Sequence, residues 1–476
     1  MSRLSRSTPD AQGLSAAALD SFVGALDAAE SEIQTLMVLR HGQVVLEESW
    51  TPYRPDDRHL LFSVSKSFTS TAIGLAIDAG LLSLDDPVIS FFTADELPET
   101  VSDNLAAMTV RHLLTMTTGH SKDTVDALSR DRRMVKIFLG LDVENEPGSQ
   151  FVYNSGATYM LSAILQRLTG ERLLDYLRPR LFDPLGISEA TWQVSKEGVT
   201  VGGWGLSVNT ESLACFGQLL LQHGVWKGEQ LVPAEWFEAA SSKQVPNENE
   251  ENPDSHQGYG FQYWRGRHNT YRADGAFGQF VIIVPEHDAV VVTTSASNNA
   301  QEIMNVVWDH LLPALEGKDV PTVPRPAKLE LPPPSGPAPA AGDGTTYRFS
   351  ERNNAGLKAV RIDADGTGTF SFEDPDRNGT HDLVCAAGDW REQSAPDALG
   401  DAGAGTGDRV VTSAVGVDGA FVATLRWVET PFMASLSCRV TGGTMTVEGK
   451  LNVSFGPTEF TLSSDSSDSS GAMSQG

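Results

Sequence analysis

The chain has 476 residues, enough for two or three ordinary domains. Its 35 basic and 62 acidic residues give a formal net charge of −27, and a surface of that sign repels nucleic-acid phosphates and anionic lipid. Hydrophobic residues make up 40% of the sequence, which excludes a chain that is disordered or fibrous as a whole. We therefore expect a globular protein that binds neither nucleic acid nor membranes.

Signals for export and for disulfide bonding are missing from the sequence. No apolar run approaches the roughly 20 residues that a membrane span needs, and the polar residues 1–10 contain no apolar signal segment. The three cysteines, Cys215, Cys385 and Cys438, are too few for a disulfide framework. These features predict a reduced protein in the cytoplasm.

Helical and strand patterns alternate over residues 1–317. Helical periodicity covers residues 14–29, 65–79, 155–169, 211–222 and 302–315. Strand patterns predict hairpins at residues 36–46 and 280–294. Because the strands lie at both ends and most helices between them, we predict an α+β fold. Its antiparallel sheet is assembled from both termini, flanked by helices, and carries a helical insertion.

Composition divides the rest of the chain. Residues 318–344 hold eight of the 25 prolines and are predicted to form a linker. Residues 345–462 alternate apolar and polar side chains in short runs separated by turn residues, which predicts a C-terminal all-β barrel or sandwich. Residues 463–476 are a polar, serine-rich tail that we expect to be disordered.

The first candidate for chemistry is the pair Ser63 and Lys66, at the start of the helix predicted over residues 65–79. Side chains three residues apart share one helix face, and the serine hydroxyl lies near the positive end of the helix dipole. A desolvated lysine can be neutral and act as the base that activates such a serine. Alone, the pair fits equally well a capping serine and a surface lysine.

Two further stretches complete a constellation. Tyr153, Asn154 and Ser155 open the helix predicted over residues 155–169, and residues 273–276, Ala-Asp-Gly-Ala, enter the second hairpin. This order resembles serine β-lactamases and penicillin-binding proteins. The resemblance is to the class C-type branch, with family VIII carboxylesterases, D-aminopeptidases and 6-aminohexanoate-oligomer hydrolases. It covers roughly residues 14–316, with supporting motifs at residues 111–120, 203–207 and 258–261.

The resemblance implies a role for each residue of the constellation. Ser63 would be the acylated nucleophile, Lys66 its base and Tyr153 the proton relay. The backbone N–H groups of Ser63 and Ala276 would form the oxyanion hole. Ser155 would hydrogen-bond Lys66 or the substrate. Taken alone, Tyr153 also fits a core aromatic beside a turn, and Ser155 fits a helix N-cap.

The strand motif departs from the family at two positions. β-Lactamases carry Lys-Thr-Gly or His-x-Gly there, whereas this chain has Ala273 and Asp274 before Gly275. The loss of a cation and the gain of an anion disfavour carboxylate-bearing substrates and favour neutral or amine-bearing ones. Gly275 would leave room for an acyl group lying along the strand. Trp204 and Tyr259 fit a substrate cleft and core packing equally well.

The expected function is therefore a serine hydrolase that cleaves small esters or amides through an acyl-enzyme. The histidines show no paired ligand spacing, so we expect no metal and no cofactor. True β-lactamase or D-aminopeptidase activity is one alternative, and a non-catalytic sensor or scaffold with the same fold is another. Loops shape the pocket, so the physiological substrate, the part played by the C-terminal β domain and the oligomeric state all stay open.

Overall fold

The structure is a computed structural model. It describes residues 4–129, 132–248, 252–351, 353, 355–374, 379–394 and 409–465. The chain divides into two compact units. The first comprises Met1–Ser49 and Pro55–Ala327, and the second comprises Trp50–Arg54 and Lys328–Gly476. Within the described ranges, no helix combines the length and the apolar character needed to cross a bilayer.

The first unit mixes helices and strands. Its strands are β1 (Ser5–Arg6), β2 (Glu32–Arg40), β3 (Gln43–Ser49), β4 (His59–Leu60), β5 (Thr191–Trp192), β6 (Leu206–Val208), β7 (Val225–Trp226), β8 (Glu229–Gln230), β9 (Trp264–Arg265), β10 (Tyr271–Gly275), β11 (Gln279–Val284) and β12 (Ala289–Ala296). Its α-helices are α1 (Ala16–Asp27), α2 (Ser65–Asp78), α3 (Asp103–Ala107), α4 (Val110–Leu114), α5 (Val125–Leu128), α6 (Met134–Gly140), α7 (Ser155–Thr169), α8 (Leu173–Leu177), α9 (Asp183–Leu185), α10 (Thr210–Leu221), α11 (Ala234–Ser241), α12 (Ala300–Val306) and α13 (Leu312–Leu315).

The main sheet joins strands from both ends of the first unit. Among the described residues its order is β1-β3-β2-β12-β11-β10-β9. Every neighbouring pair is antiparallel except β1 and β3. β2 lies beside β12, with Val38 opposite Val291, so the first long strand and the last are direct neighbours. This confirms the predicted sheet assembled from both termini.

Helices cover the sheet closely enough to bury its central strands. Every residue of β11 and β12 is buried, and α10 packs against β2, β11 and β12. Gly217 of α10 permits this approach, because a Cβ atom there would lie 2.6 Å from a methyl carbon of Val290 and 2.8 Å from one of Val281. Residues 280–284 of β11 and 289–292 of β12 are accordingly apolar at every position rather than at alternate positions.

The second unit is all-β in its described residues. Its strands are β13 (Thr346–Arg348), β14 (Leu357–Ile362), β15 (Gly368–Asp374), β16 (Gly379–Cys385), β17 (Arg391–Ser394), β18 (Arg409–Val417), β19 (Ala420–Trp427), β20 (Met433–Thr441), β21 (Thr444–Leu451) and β22 (Glu459–Ser463). β13–β16 form one antiparallel sheet and β17–β22 another, each in sequence order. This confirms the predicted C-terminal β architecture.

A short segment from the N-terminal part of the chain belongs to the second unit. The backbone N–H of Thr51 donates to Leu329 at 3.1 Å, and Leu331 donates back to Thr51 at 2.7 Å. Tyr53 is buried in a small cluster with Val411 and Val428. No compositional signal marks residues 50–54 as part of a β unit.

The proline-rich residues 318–344 make hydrogen bonds within each unit. Arg325 pairs with Asp20 at 3.2 Å and with Glu48 at 2.6 Å, and the indole N–H of Trp390 donates to the carbonyl of Leu331 at 2.9 Å. The predicted domain boundaries and the linker stay a proposal. Residues 466–476 of the predicted tail lie outside the described residues.

Candidate active site

Ser63 lies in a 3-10 turn, Phe62–Val64, that leads into α2. β4 pairs with β6 just before this turn, and the Ser65 hydroxyl accepts a hydrogen bond from the Leu206 backbone at 3.1 Å. Phe62 has a φ of +47°, a left-handed conformation that is strained for a residue with a side chain. The fold therefore holds the half-buried Ser63 at a tightly constrained turn.

Lys66, on the first turn of α2, points at Ser63. Its side chain is 1% exposed, and its Nζ donates to Ser63 Oγ at 2.9 Å and to the carbonyl oxygen of Gly203 at 2.8 Å. A third contact of 3.3 Å reaches Ser155 Oγ. The three acceptors fix the amine beside the serine hydroxyl, within reach for a direct proton transfer.

Burial sets the protonation of this amine. Desolvation lowers the pKa of Lys66 to about 7, against the opposing influence of the Asp123 and Asp274 carboxylates. A substantial fraction of Lys66 is therefore neutral near neutral pH. A neutral amine can accept the proton of Ser63, which an ammonium group cannot do.

Tyr153 packs its ring face against the same amine. The Nζ of Lys66 lies 4.8 Å from the ring centroid of Tyr153. The Tyr153 ring stacks on Trp264 at 5.4 Å and meets the edge of Tyr259 at 6.3 Å. Tyr259 is 1% exposed, so in this structure it supports the Tyr153 ring from within the core.

Ser155 is the first residue of α7, and its hydroxyl is not the helix cap. Asn154 is the N-cap, and its side-chain oxygen accepts from the Gly156 backbone at 3.0 Å. The capping role that the sequence left open for Ser155 thus falls to Asn154. The Ser155 backbone N–H donates to Asp123 Oδ1 at 2.9 Å, while its hydroxyl accepts from Lys66.

β10 passes close to the nucleophile turn. A Cβ atom at Gly275 would lie 2.2 Å from the backbone oxygen of Leu61, so this position requires glycine. The ring of Phe277 meets that of Phe62 edge-on at 5.3 Å, and the Gln279 side chain donates to the Ala276 carbonyl at 3.1 Å. In the structure Gly275 is needed because its backbone approaches that of Leu61 closely, rather than because an acyl group needs space there.

Asp274 forms an ion pair that the sequence analysis did not foresee. The Nε of Arg272, two residues earlier on the same strand face, donates to Asp274 Oδ2 at 2.8 Å. Arg272 is buried and also donates to the Asp254 carbonyl at 2.8 Å. Desolvation raises the pKa of Asp274, while Arg272 and Lys66 oppose the shift. The i, i+2 spacing on a strand was the signal that could have revealed this partner.

The segment Gly203–Trp204 forms the remaining wall beside Lys66. Gly203 supplies the carbonyl that accepts from Lys66, and a Cβ atom on it would lie 3.0 Å from the Ser155 carbonyl. Trp204 is half-buried, and its own carbonyl accepts from the Trp192 indole at 2.7 Å. Sequence reasoning placed Gly203 in a supporting motif without a role for its carbonyl, and it missed Asp123 altogether, since no motif includes that residue.

The structure thus brings Ser63, Lys66, Tyr153 and Ser155 into one contact network beside β10. In the parts of the chain that the structure describes, no three His, Cys, Asp or Glu side chains cluster so as to hold a metal ion. All three cysteines are free and buried. The arrangement suits acyl transfer, in which a serine is activated by an amine that is already in contact with it.

The fold and the site define a class: a helix-flanked, largely antiparallel sheet with a serine and a buried lysine beside β10, the strand next to its edge. The Beta-lactamase family model matches residues 22–315, so the chain belongs to the Beta-lactamase family. Within that family, its relatives include hydrolases of amides and esters.

Two relatives in sequence and one solved structure are similar to this chain. The 6-aminohexanoate-dimer hydrolase of Paenarthrobacter ureafaciens is 28% identical over 290 residues, which are 56% of this chain and 73% of that protein. The lovastatin esterase of Penicillium rubens is 29% identical over 164 residues, 29% of this chain and 40% of that protein. The octameric penicillin-binding protein homologue of Pyrococcus abyssi shares the fold, with a TM-score of 0.51 and 16% identity over 90% of this chain and 97% of its own.

Proposed function

We propose that the protein is a serine hydrolase that cleaves small esters or amides through a covalent acyl-enzyme. The observation that carries the proposal is the 2.9 Å contact between Lys66 Nζ and Ser63 Oγ, made by an amine whose pKa is lowered to about 7 by burial. An exposed lysine would stay protonated at neutral pH and could not serve as the base.

Acylation begins with Lys66 in its neutral form. As Ser63 Oγ attacks the substrate carbonyl carbon, its proton passes to Lys66 Nζ and a carbon–oxygen bond forms. The displaced electron pair moves to the carbonyl oxygen, and the backbone N–H groups of Ser63 and Ala276 are the proposed donors to that oxyanion. When the tetrahedral intermediate collapses, the bond to the leaving group breaks.

Tyr153 and Lys66 return the proton. In the proposed step the Tyr153 hydroxyl gives a proton to the departing alcohol or amine and is reprotonated by Lys66. Water then attacks the acyl carbonyl carbon and loses a proton to the same pair. The pair returns that proton to Ser63 Oγ as the ester bond breaks, which releases the acid and free Ser63. The contact of Ser155 with Lys66 supports this cycle by holding the amine in one position.

We base the choice of substrate class on strand β10. The proposed substrates are esters or amides that place no carboxylate near this strand. Its Asp274 carboxylate is paired with Arg272, so the strand presents no free cation to a substrate carboxylate. The names of the relatives support both bond types, because one is a 6-aminohexanoate-dimer hydrolase and the other an esterase. Cleavage of β-lactams or of D-aminoacyl amides is the alternative within the same chemistry.

The experiment is covalent labelling combined with a substrate screen. A fluorophosphonate should add one adduct to the wild-type protein, located at Ser63 by mass spectrometry. Activity should be measured on p-nitrophenyl esters, aminoacyl anilides and nitrocefin. Ser63→Ala should lose both the adduct and the activity, whereas the matched control Ser90→Ala, an exposed serine in another part of the unit, should keep both.

Two outcomes would overturn the proposal. Full labelling of Ser63→Ala would place the nucleophile elsewhere. A wild-type protein that is folded but takes up no label and turns over none of the substrates would favour a non-catalytic sensor or scaffold.

A further inference from the structure

Two phenylalanines beside the candidate active site have left-handed backbones. Phe62 immediately precedes Ser63 and has a φ of +47°, and Phe277 immediately follows Ala276 and has a φ of +66°. Glycine adopts this conformation freely, whereas a bulky residue is strained in it, and such strain concentrates at functional sites. Each strained residue is thus the direct neighbour of one proposed oxyanion donor.

Phe277 lies in the turn that joins β10 to β11. A hydrogen bond of 3.3 Å from the Gly278 N–H to the Gly275 carbonyl closes this turn, so Ala276 and Phe277 are its two central residues. Turns that need a positive φ at the second central residue normally carry glycine there. The shape of the turn therefore does not explain why this residue is a phenylalanine.

The end of β12 anchors the backbone of the same turn. The Phe277 carbonyl accepts from the Ser297 backbone N–H at 3.1 Å and from the Ser295 hydroxyl at 2.7 Å. The Gln279 side chain bridges the Ala276 carbonyl at 3.1 Å and the Ser295 carbonyl at 2.7 Å. These bonds fix the turn to the sheet, while Ser63 is fixed to the start of α2.

The two phenylalanine rings join these separately anchored turns. The rings of Phe62 and Phe277 meet edge to face, with centroids 5.3 Å apart and planes at 83°. Phe62 is 9% exposed and Phe277 is half-buried. Edge-to-face contact is a favoured geometry for aromatic pairs and adds attraction beyond the burial of apolar area. The ring contact therefore offsets part of the strain in the two backbones.

The separation of the two turns decides where the proposed donors lie. The Ser63 N–H belongs to the peptide group that follows Phe62, so the backbone of Phe62 sets its direction. The Ala276 N–H belongs to the peptide group that follows Gly275, where β10 passes close to Leu61. Among the described residues, neither N–H donates to a backbone carbonyl. Both are therefore available to an oxygen atom of a substrate.

We propose that the Phe62–Phe277 ring pair positions the two donors of the oxyanion hole. The contact keeps the two turns at one separation and keeps Phe62 in the conformation that aims the Ser63 N–H at the substrate oxygen. Both phenylalanines are positioning residues, since they act through neighbouring backbone groups. This inference rests on the proposed acyl-enzyme function, because an oxyanion forms only if Ser63 attacks a carbonyl group.

The experiment compares an ester with its thiono counterpart, in which sulfur replaces the carbonyl oxygen. Sulfur is larger than oxygen and a weaker hydrogen-bond acceptor, so a thiono ester gains little from donors placed for an oxyanion. Phe62→Leu and Phe277→Leu remove one ring each, and Phe277→Gly also removes the backbone strain. Phe277→Tyr keeps the ring and is the conservative variant. His223→Gly, at an exposed residue with a φ of +49°, is the matched control.

Each of the three test variants should lower kcat for the ester by about 10- to 100-fold, because displaced donors weaken binding of the transition state. KM should change less than about threefold, since the ground state depends less on these donors. The thiono ester should keep its kcat, so the ratio of the two rates should fall by the same factor. Phe277→Tyr and His223→Gly should retain the wild-type ratio.

A double variant tests whether the two rings act as one unit. Phe62→Leu/Phe277→Leu should have a kcat no lower than that of the worse single variant, because either substitution already breaks the same contact. Multiplicative losses of kcat would show that the rings act separately and would overturn the proposal.

The infrared carbonyl band of the acyl-enzyme reports on the donors directly. With a slow ester labelled with ¹³C at the carbonyl carbon, the band should lie at a higher wavenumber in Phe277→Gly than in the wild type. Weaker hydrogen bonds to the carbonyl oxygen polarise the C=O bond less, whereas a merely structural role for the ring would leave the band in place.

The two levels of the proposal fail differently. Equal losses of kcat on the ester and the thiono ester, or an unchanged carbonyl band in test variants that still unfold cooperatively, would overturn the positioning role and leave the hydrolase function intact. A folded wild type that forms no acyl-enzyme with any ester would overturn the hydrolase function and the positioning role together.

Discussion

The buried position of Lys66 predicts a pH-dependent cost in stability. Its pKa is about 7 in the folded protein, against an ordinary value of 10.5 in the unfolded chain. Between these values the unfolded state binds more protons, so the free energy of unfolding rises with pH by about 1.4 kcal/mol per unit. Below pH 7 Lys66 is protonated in both the folded and the unfolded state. The stability lost by burying its charge is then constant, at about 5 kcal/mol.

Lys66→Met removes the stability cost of the buried charge and replaces the amine with an apolar side chain of similar length. The variant should lose most of its activity, yet at pH 6 it should be more stable than the wild type by a few kcal/mol, since the lost hydrogen bonds offset only part of the gain. The advantage should shrink by about 3 kcal/mol between pH 6 and pH 9, because the wild type recovers stability over that range while the variant does not.

The assay is urea unfolding of both proteins at each pH unit from 6 to 9. The relevant transition is that of the first unit, identified as the one that Lys66→Met shifts. Lys136→Met, at an exposed lysine, is the matched control, and the difference between its stability and that of the wild type should not change with pH. A stability difference between wild type and Lys66→Met that stays constant from pH 6 to pH 9 would refute the lowered pKa, and with it the argument for Lys66 as the base.

Three further predictions concern the same site. Substitution of either Lys66 or Tyr153 should lower kcat by about 10² to 10⁴. The double variant should have a kcat no lower than that of the worse single variant, because the two residues form one proton-transfer unit. Multiplicative losses of kcat in steady-state kinetics would contradict this. Gly203→Ala should lower kcat about tenfold with little loss of stability, because the new Cβ atom would lie 3.0 Å from the Ser155 carbonyl oxygen and displace the Gly203 backbone. An unchanged kcat would show that the Gly203 carbonyl does not position Lys66. Asp274→Asn should raise kcat/KM for anionic esters about tenfold relative to neutral ones, since it leaves the Arg272 cation unpaired; equal effects on acidic, neutral and basic esters would exclude charge selection.

The elements that the sequence predicted well carry strong local signals. α7 begins at Ser155 and ends at Thr169, as expected, because Asn154 caps its start and Gly170 adopts a left-handed φ of +74° after its end. The central hairpin turns at Pro285–His287, where proline and polar residues interrupt two apolar strands. The spacing of Ser63 and Lys66 is equally local, since one turn of helix sets it.

Other features depend on contacts that a local pattern does not encode. The Gly203 carbonyl beside Lys66 is a backbone atom and leaves no trace in residue identity. The predicted helix over residues 302–315 begins at Ala300 and includes a π-helical turn, Val307–Leu311, between α12 and α13. Asp123 comes from a distant part of the sequence, and only the folded chain brings it to Ser155.

The contribution of residues 50–54 to the second unit has a consequence for biosynthesis. This segment leaves the ribosome early, whereas Leu329 and Leu331, which bond its backbone, and Val411 and Val428, which cover Tyr53, are translated much later. The second unit therefore cannot complete its core until the entire intervening chain has been made. Its folding must also overcome the loss of entropy that comes with closing a very long loop. A chain cut at Ala327 would retain the early segment without its partners, leaving Tyr53 as an exposed apolar ring.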